Sequence, residues 1–107
     1  MAEASTPGTA GVERDGTHLR LTGPVTLATV PGLHEACFAA VAAAGLEVDL
    51  AAATVVDSSA LALLIALRRA VEHAGGAFTV RAVPDALRTL AGLYGVEFLV
   101  DNAAPDA

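Results

Sequence analysis

The chain has 107 residues, 54% of them hydrophobic and 17% charged, with a formal net charge of -6. This is the size of one domain, and its aliphatic content is enough to close a core without a disulfide or a structural metal. The acidic balance, with all basic residues Arg and only Arg68-Arg69 adjacent, lacks the footprint of a nucleic-acid binder. No apolar run, Ala60 to Leu67 among them, approaches the roughly 20 residues that span a bilayer.

In chain order, Met1 to Ala10 is small and polar with no secretory pattern, and it reads as a flexible tail. A domain over 11–101 follows, and residues 102–107 read as a second flexible tail. The absence of a secretory pattern leads us to expect a cytoplasmic protein. Val12 to Arg14 and Thr17 to Thr22 flank Asp15-Gly16, which predicts a hairpin. Past Gly23-Pro24 and a brief apolar run, Val25 to Leu27, Thr29 is a candidate cap for a helix with Pro31 in its first turn. Leu33, Cys37, Phe38 and Val41 recur at helical spacing, and Gly45 ends that helix. The lone Cys37 reads as a small buried hydrophobe, and His18, His34 and His73 lie too far apart for metal-ligand spacing.

Leu46 to Leu50 predicts a strand, Asp57-Ser58-Ser59 opens a second helix that runs to Gly75-Gly76, and Ala77 to Val83 alternates as a further strand. Pro84-Asp85 opens a third helix that stops at Gly95, and Val96 to Val100 reads as a last short strand. The expected class is therefore α/β: a mixed, mostly parallel sheet of four or five strands with an antiparallel edge, helices packed on it, and one domain.

The second helix concentrates the functional signal. Its opening admits two readings: a serine cap, worth about 1 kcal/mol, or a helix N-terminus whose free N–H groups favour a phosphoserine. At 100° per residue, Leu63, Leu64, Leu67, Ala70, Val71 and Ala74 share one arc, the expected packing face. Arg68, Arg69, Glu72 and His73 lie opposite, and Leu61 and Ile65 fall on that polar arc with them. A neighbouring element could cover those two aliphatics, or they could form a small protein-docking surface. No nucleophile elbow, phosphate loop or Lys is present, and Asp57 has no acid-base partner nearby in sequence. We therefore expect neither enzymatic activity nor a cofactor.

Val48-Asp49-Leu50, Val56-Asp57-Ser58-Ser59-Ala60-Leu61, the long helix, Gly75-Gly76 and Phe78-Thr79-Val80 together resemble the STAS domain, a family that includes anti-sigma factor antagonists. The resemblance runs from about Val12 to Val100. Leu21 to Pro31 and Leu87 to Val96, above all Leu90-Ala91-Gly92-Leu93-Tyr94, look most like the small STAS subunit of the Mla phospholipid-transport system.

That resemblance implies a STAS fold and a non-enzymatic subunit. It would bind and support the ATPase of an inner-membrane ABC transporter, and through it a permease, in maintaining outer-membrane lipid asymmetry. Its expected place is cytoplasmic and peripheral to the inner membrane, without insertion of its own. The expected contact set is Asp57, Ser58, Leu61, Ile65, Arg68, Arg69 and Glu72. By position, Ser58 matches the hydroxyl residue at the ATPase contact, and Ser59 matches the serine phosphorylated in anti-sigma factor antagonists. The pattern departs at Ala60, where Gly is usual. An anti-sigma factor antagonist, modified on Ser59 by a partner serine kinase, is the alternative. A small lipid- or nucleotide-binding module is a third reading that rests on fold analogy alone.

Overall fold

Asp15 pairs with His18, so the hairpin loop is Gly16-Thr17, one residue later than the Asp-Gly signal suggests. Gly16 supplies the positive φ of 62° that a tight turn needs there. The computed structural model describes residues 9–101, so most of the two expected tails lies outside the described residues. β1 (Gly11–Asp15) runs antiparallel to β2 (His18–Val25). β2 continues through Gly23-Pro24, where a register shift accommodates the proline's missing N–H.

α1 (Val30–Ala39) begins without a side-chain cap. The Thr29 hydroxyl instead accepts from the Thr26 N–H at 2.9 Å and donates to the Pro24 carbonyl at 2.8 Å, closing the turn that feeds the helix. The helix stops at Ala39, short of Gly45, and a turn carries the chain into β3 (Leu46–Asp49). β4 (Ala53–Val56) precedes α2 (Ser58–His73), β5 (Phe78–Arg81) and α3 (Asp85–Leu93).

The chain then enters α4 (Glu97–Asp101), which overturns the expected strand over Val96 to Val100. Val96, Leu99 and Val100 are the residues packed into the core, and their spacing is that of a helix, not an alternating strand. Apolar runs this short do not by themselves separate the two periods.

The sheet order is β1-β2-β3-β5, with β4 pairing the far end of β2, and every pairing except β1 with β2 is parallel. Leu19, Leu21, Leu46, Val48, Phe78 and Val80 bury one sheet face. Leu33 and Cys37 of α1, Leu63, Leu64, Leu67 and Val71 of α2, Leu87 and Ala91 of α3, and Leu99 and Val100 of α4 complete the same core. Each buried Leu contributes about 1.5–3 kcal/mol, so α2 is the principal helical contributor. Cys37 sits in this core, and burial pushes its thiol up to about 11. Of the arc expected to pack, Ala74 alone is exposed, because it lies past the last helical turn.

Candidate functional site

The parallel strands β2 and β4 end at the same side of the sheet, and this brings the loop after β2 to the start of α2. Asp57 stands there in extended backbone, with φ at -139°, as the N-cap. One carboxylate oxygen accepts from the Ser59 N–H at 2.8 Å, and the other accepts from the Leu27 N–H at 3.0 Å. Those two donors, Leu27 first, hold the carboxyl below its ordinary value. Both oxygens of Asp57 thus have partners within the chain, and the side chain staples the β2–α1 loop to α2.

Ser58 occupies the first position of α2 and is exposed, while Ser59 is half-buried behind it. Ser58 stands at the mouth of a groove of about 310 Å³ lined by Leu61, Ala62, Ile65, Tyr94 and Val96. Leu61 is only 3% exposed, which corrects its expected place on an open polar arc. α2 is covered on more than its sheet side, because α1 and α3 pack along it, and a single-arc reading does not anticipate that. Leu61 is therefore part of the core and the floor of the groove. Ile65 is half-buried, and Tyr94, 62% exposed, forms a wall.

The expected rim separates into two different environments. The Arg68 side chain is 22% accessible, with its Nε donating to Glu72 Oε2 at 3.0 Å and its guanidinium 4.7 Å from the centroid of the Phe98 ring. Its Nη1 is buried without a partner among the described residues. Phe98, carried by α4, lies over this guanidinium. Arg69 and Glu72 are exposed, as expected of a rim.

Further apolar surface surrounds the same helix start. Leu27, whose N–H meets Asp57, is 74% exposed, and Val55 stands exposed two residues before Asp57. Ala62, Tyr94, Val96, Leu27 and Val55 are not marked as site residues by any pattern in the sequence. The signal available for Tyr94 is its place in the Leu90 to Tyr94 segment, but nothing local links it to Ser58, since α3 and α2 are brought together only by the fold.

Against known proteins, the family model described as "Mlab, STAS domain" matches residues 10–101. The chain is a member of the STAS domain family. No curated protein sequence matches it. Among solved structures, an anti-sigma factor antagonist from Mycobacterium paratuberculosis is similar, at 26% identity and a TM-score of 0.71 over 92% of this chain and 86% of that one. The antagonist SpoIIAA in its unphosphorylated form is 14% identical, with a TM-score of 0.69 over 92% and 90%. The Bacillus cell fate determinant SpoIIAA in its phosphorylated form is 14% identical, with a TM-score of 0.65 over 92% and 93%. The last two share the fold.

This STAS domain holds no group of three or more His, Cys, Asp or Glu suited to a metal among the described residues. No helix among them is long and apolar enough to cross a membrane. The α2 start offers apolar surface, one exposed hydroxyl and a rim with charges of both signs, groups suited to contact with another protein.

Proposed function

We propose that this STAS domain is a non-enzymatic docking subunit for the ATPase of an ABC transporter in phospholipid trafficking and outer-membrane lipid asymmetry, held at the inner membrane through that partner. The observation that carries the reading is the groove at the start of α2, with Ser58 at its mouth, Leu61 as its floor and Tyr94 as its wall. Small apolar depressions with an aromatic wall and a polar rim suit a few anchoring side chains of a partner protein. In this arrangement Ser58 hydrogen-bonds to the partner, Ile65 and Tyr94 supply apolar contact, and Arg69 and Glu72 act at the rim. Asp57 and Arg68 position this surface from within the chain. The family match described as an Mlab STAS domain supports the choice of partner class.

A second reading, an anti-sigma factor antagonist switched by a serine-kinase anti-sigma factor, is favoured by the likeness to the mycobacterial antagonist and by the two hydroxyls at the helix N-terminus. A phosphate there would meet the positive end of the helix dipole, beside the Asp57 carboxylate that already takes the Ser59 N–H. The two readings separate on one pair of experiments. The purified ABC ATPase of the same cell is titrated with wild-type protein and with Ser58→Asp, and the wild type is incubated with candidate serine kinase and ATP, followed by intact-mass measurement. ATPase binding that Ser58→Asp weakens by about tenfold or more supports the first reading. Addition of one phosphate to Ser58 or Ser59, without ATPase binding, supports the second.

A further inference from the structure

The sheet face turned away from the helices carries a patterned set of charges that the docking groove does not use. Pairing across the sheet sets Glu13, Arg20, Asp49 and Arg81 side by side in one row. Asp15, His18, Glu47 and Thr79 form the row beside it. Leu19, Val48 and Val80 alternate with these residues and are buried on the other face, so both rows point away from the core. The first row therefore reads acid, base, acid, base from β1 to β5.

The contacts within this face are loose. His18 stands 3.7 Å from Glu47, Arg81 stands 3.7 Å from Glu47, and Arg20 stands 3.9 Å from Glu13, all beyond hydrogen-bond range. These side chains line a depression with donors and acceptors still open to a partner.

A row of even length with alternating charge is complementary to itself under a two-fold rotation. With the axis along the strands between β2 and β3, Glu13 meets Arg81 of a second copy and Arg20 meets Asp49. In the second row, His18 meets Glu47 and Asp15 meets the Thr79 hydroxyl. No like charges oppose each other. Moving the axis onto β3 would set Arg20 against Arg81, and moving it onto β2 would set Glu13 against Asp49, so the charge pattern also selects the register.

We infer that the open sheet face is a self-association surface, whose occupant is the same face of a second copy of this chain. Four strands about 4.8 Å apart and five residues of about 3.4 Å make the face roughly 19 by 17 Å. A pair of such faces covers about 650 Å² in all, below the roughly 1,000 Å² of a stable specific interface, so the association is weak and reversible. The net charge of -6 on each copy opposes it over distance. In about 0.15 M salt that repulsion is screened beyond roughly 8 Å, while opposed side chains in contact are screened less.

The test is sedimentation velocity of the full chain from about 20 μM to about 1 mM, across the range where weak complexes dissociate. Glu13→Arg places a guanidinium against Arg81 of the second copy, and Arg81→Glu places a carboxylate against Glu13. Each variant alone is expected to sediment as a monomer at all concentrations. In their equimolar mixture the mixed pair opposes like charges at neither end, and it is expected to sediment like the wild type, whose sedimentation coefficient rises with concentration toward that of a dimer. Circular dichroism and thermal unfolding establish that each variant is folded, and the rescue by mixing is a readout that a folding defect cannot produce. A wild type that stays monomeric throughout overturns the inference and leaves the face to another macromolecule. Single variants that still dimerise, or a mixture that stays monomeric while the wild type dimerises, also overturn it.

Discussion

Replacing Asp57 by Ala removes a carboxylate that joins two segments thirty positions apart, Leu27 and Asp57. The Ser59 bond is an ordinary N-cap, worth about 1 kcal/mol. The Leu27 N–H belongs to a residue 74% exposed and can turn to water once the carboxylate is gone, so its loss adds about 0.5–1 kcal/mol, not the cost of a buried orphan. The expected total of about 1.5–2 kcal/mol corresponds to roughly 6–15 °C in Tm for a domain of this size. Asp57→Asn keeps an oxygen for Ser59 but turns an amide donor toward Leu27, and we expect about half the loss.

The pH dependence follows from the direction of the Asp57 shift. The folded carboxyl releases its proton at lower pH than the unfolded one, whose ordinary value is 3.8. Its contribution is therefore complete above that value and disappears as pH falls below it through the folded pKa. Urea unfolding of the wild type and Asp57→Ala at neutral pH and near pH 3 measures both effects. A difference under about 0.3 kcal/mol at neutral pH, or one of equal size at both pH values, would refute the account of Asp57 as a charged staple.

Two further predictions concern the core. Leu61→Ala should cost about 2–4 kcal/mol in urea unfolding, because Leu61 is 3% exposed, whereas Ile65→Ala should cost less than half as much. Equal costs at the two positions would show that Leu61 is not the floor of the groove. Cys37, fully buried and with its thiol raised from 9.0 to about 11, should react with a disulfide reagent far more slowly than free cysteine, because both access and thiolate are reduced, and at the free rate in denaturant. Because the folded thiol keeps its proton while the unfolded one loses it, stability should fall as pH rises from 9 toward 11, as urea midpoints measured across that range would show.

Much of the fold is legible in the residues, for reasons that particular elements make plain. The second helix has a capping cluster at its start, though Asp57 and not the expected serine is the cap, a buried arc of Leu63, Leu64, Leu67 and Val71, and glycines beyond its end, so local chemistry and periodicity agree on the helix. The hairpin and the antiparallel edge follow from Asp15-Gly16 and alternating residues. Val96 to Val100 reads as a strand because five residues with three aliphatics and a Phe satisfy either period, and only burial of Leu99 beside Val100 decides for a helix. The difference reaches the site, since α4 carries the Phe98 that lies over Arg68.

The groove is half-legible. Ser58 and Ile65 belong to one helix and can be placed by spacing, while Tyr94 and Val96 reach them only through the packing of α3 on α2. The Asp57 to Leu27 bond is likewise a product of strand pairing, invisible to any local pattern. The glycine expected at position 60 gives way to Ala60, and its methyl group lies buried in the core without opening the helix.

Docking of a transporter ATPase at the start of α2 can be measured by titrating that purified ATPase with the wild type, Ser58→Asp and Tyr94→Ala. Neither substitution should lower Tm by more than a few degrees, since both residues are exposed and an acid at the first position of a helix suits its dipole. Each should weaken binding by about tenfold or more, the loss of roughly 1.4 kcal/mol or more expected for a central contact. Wild-type affinity in both variants, or no binding of the ATPase by the wild type, would contradict docking at this site.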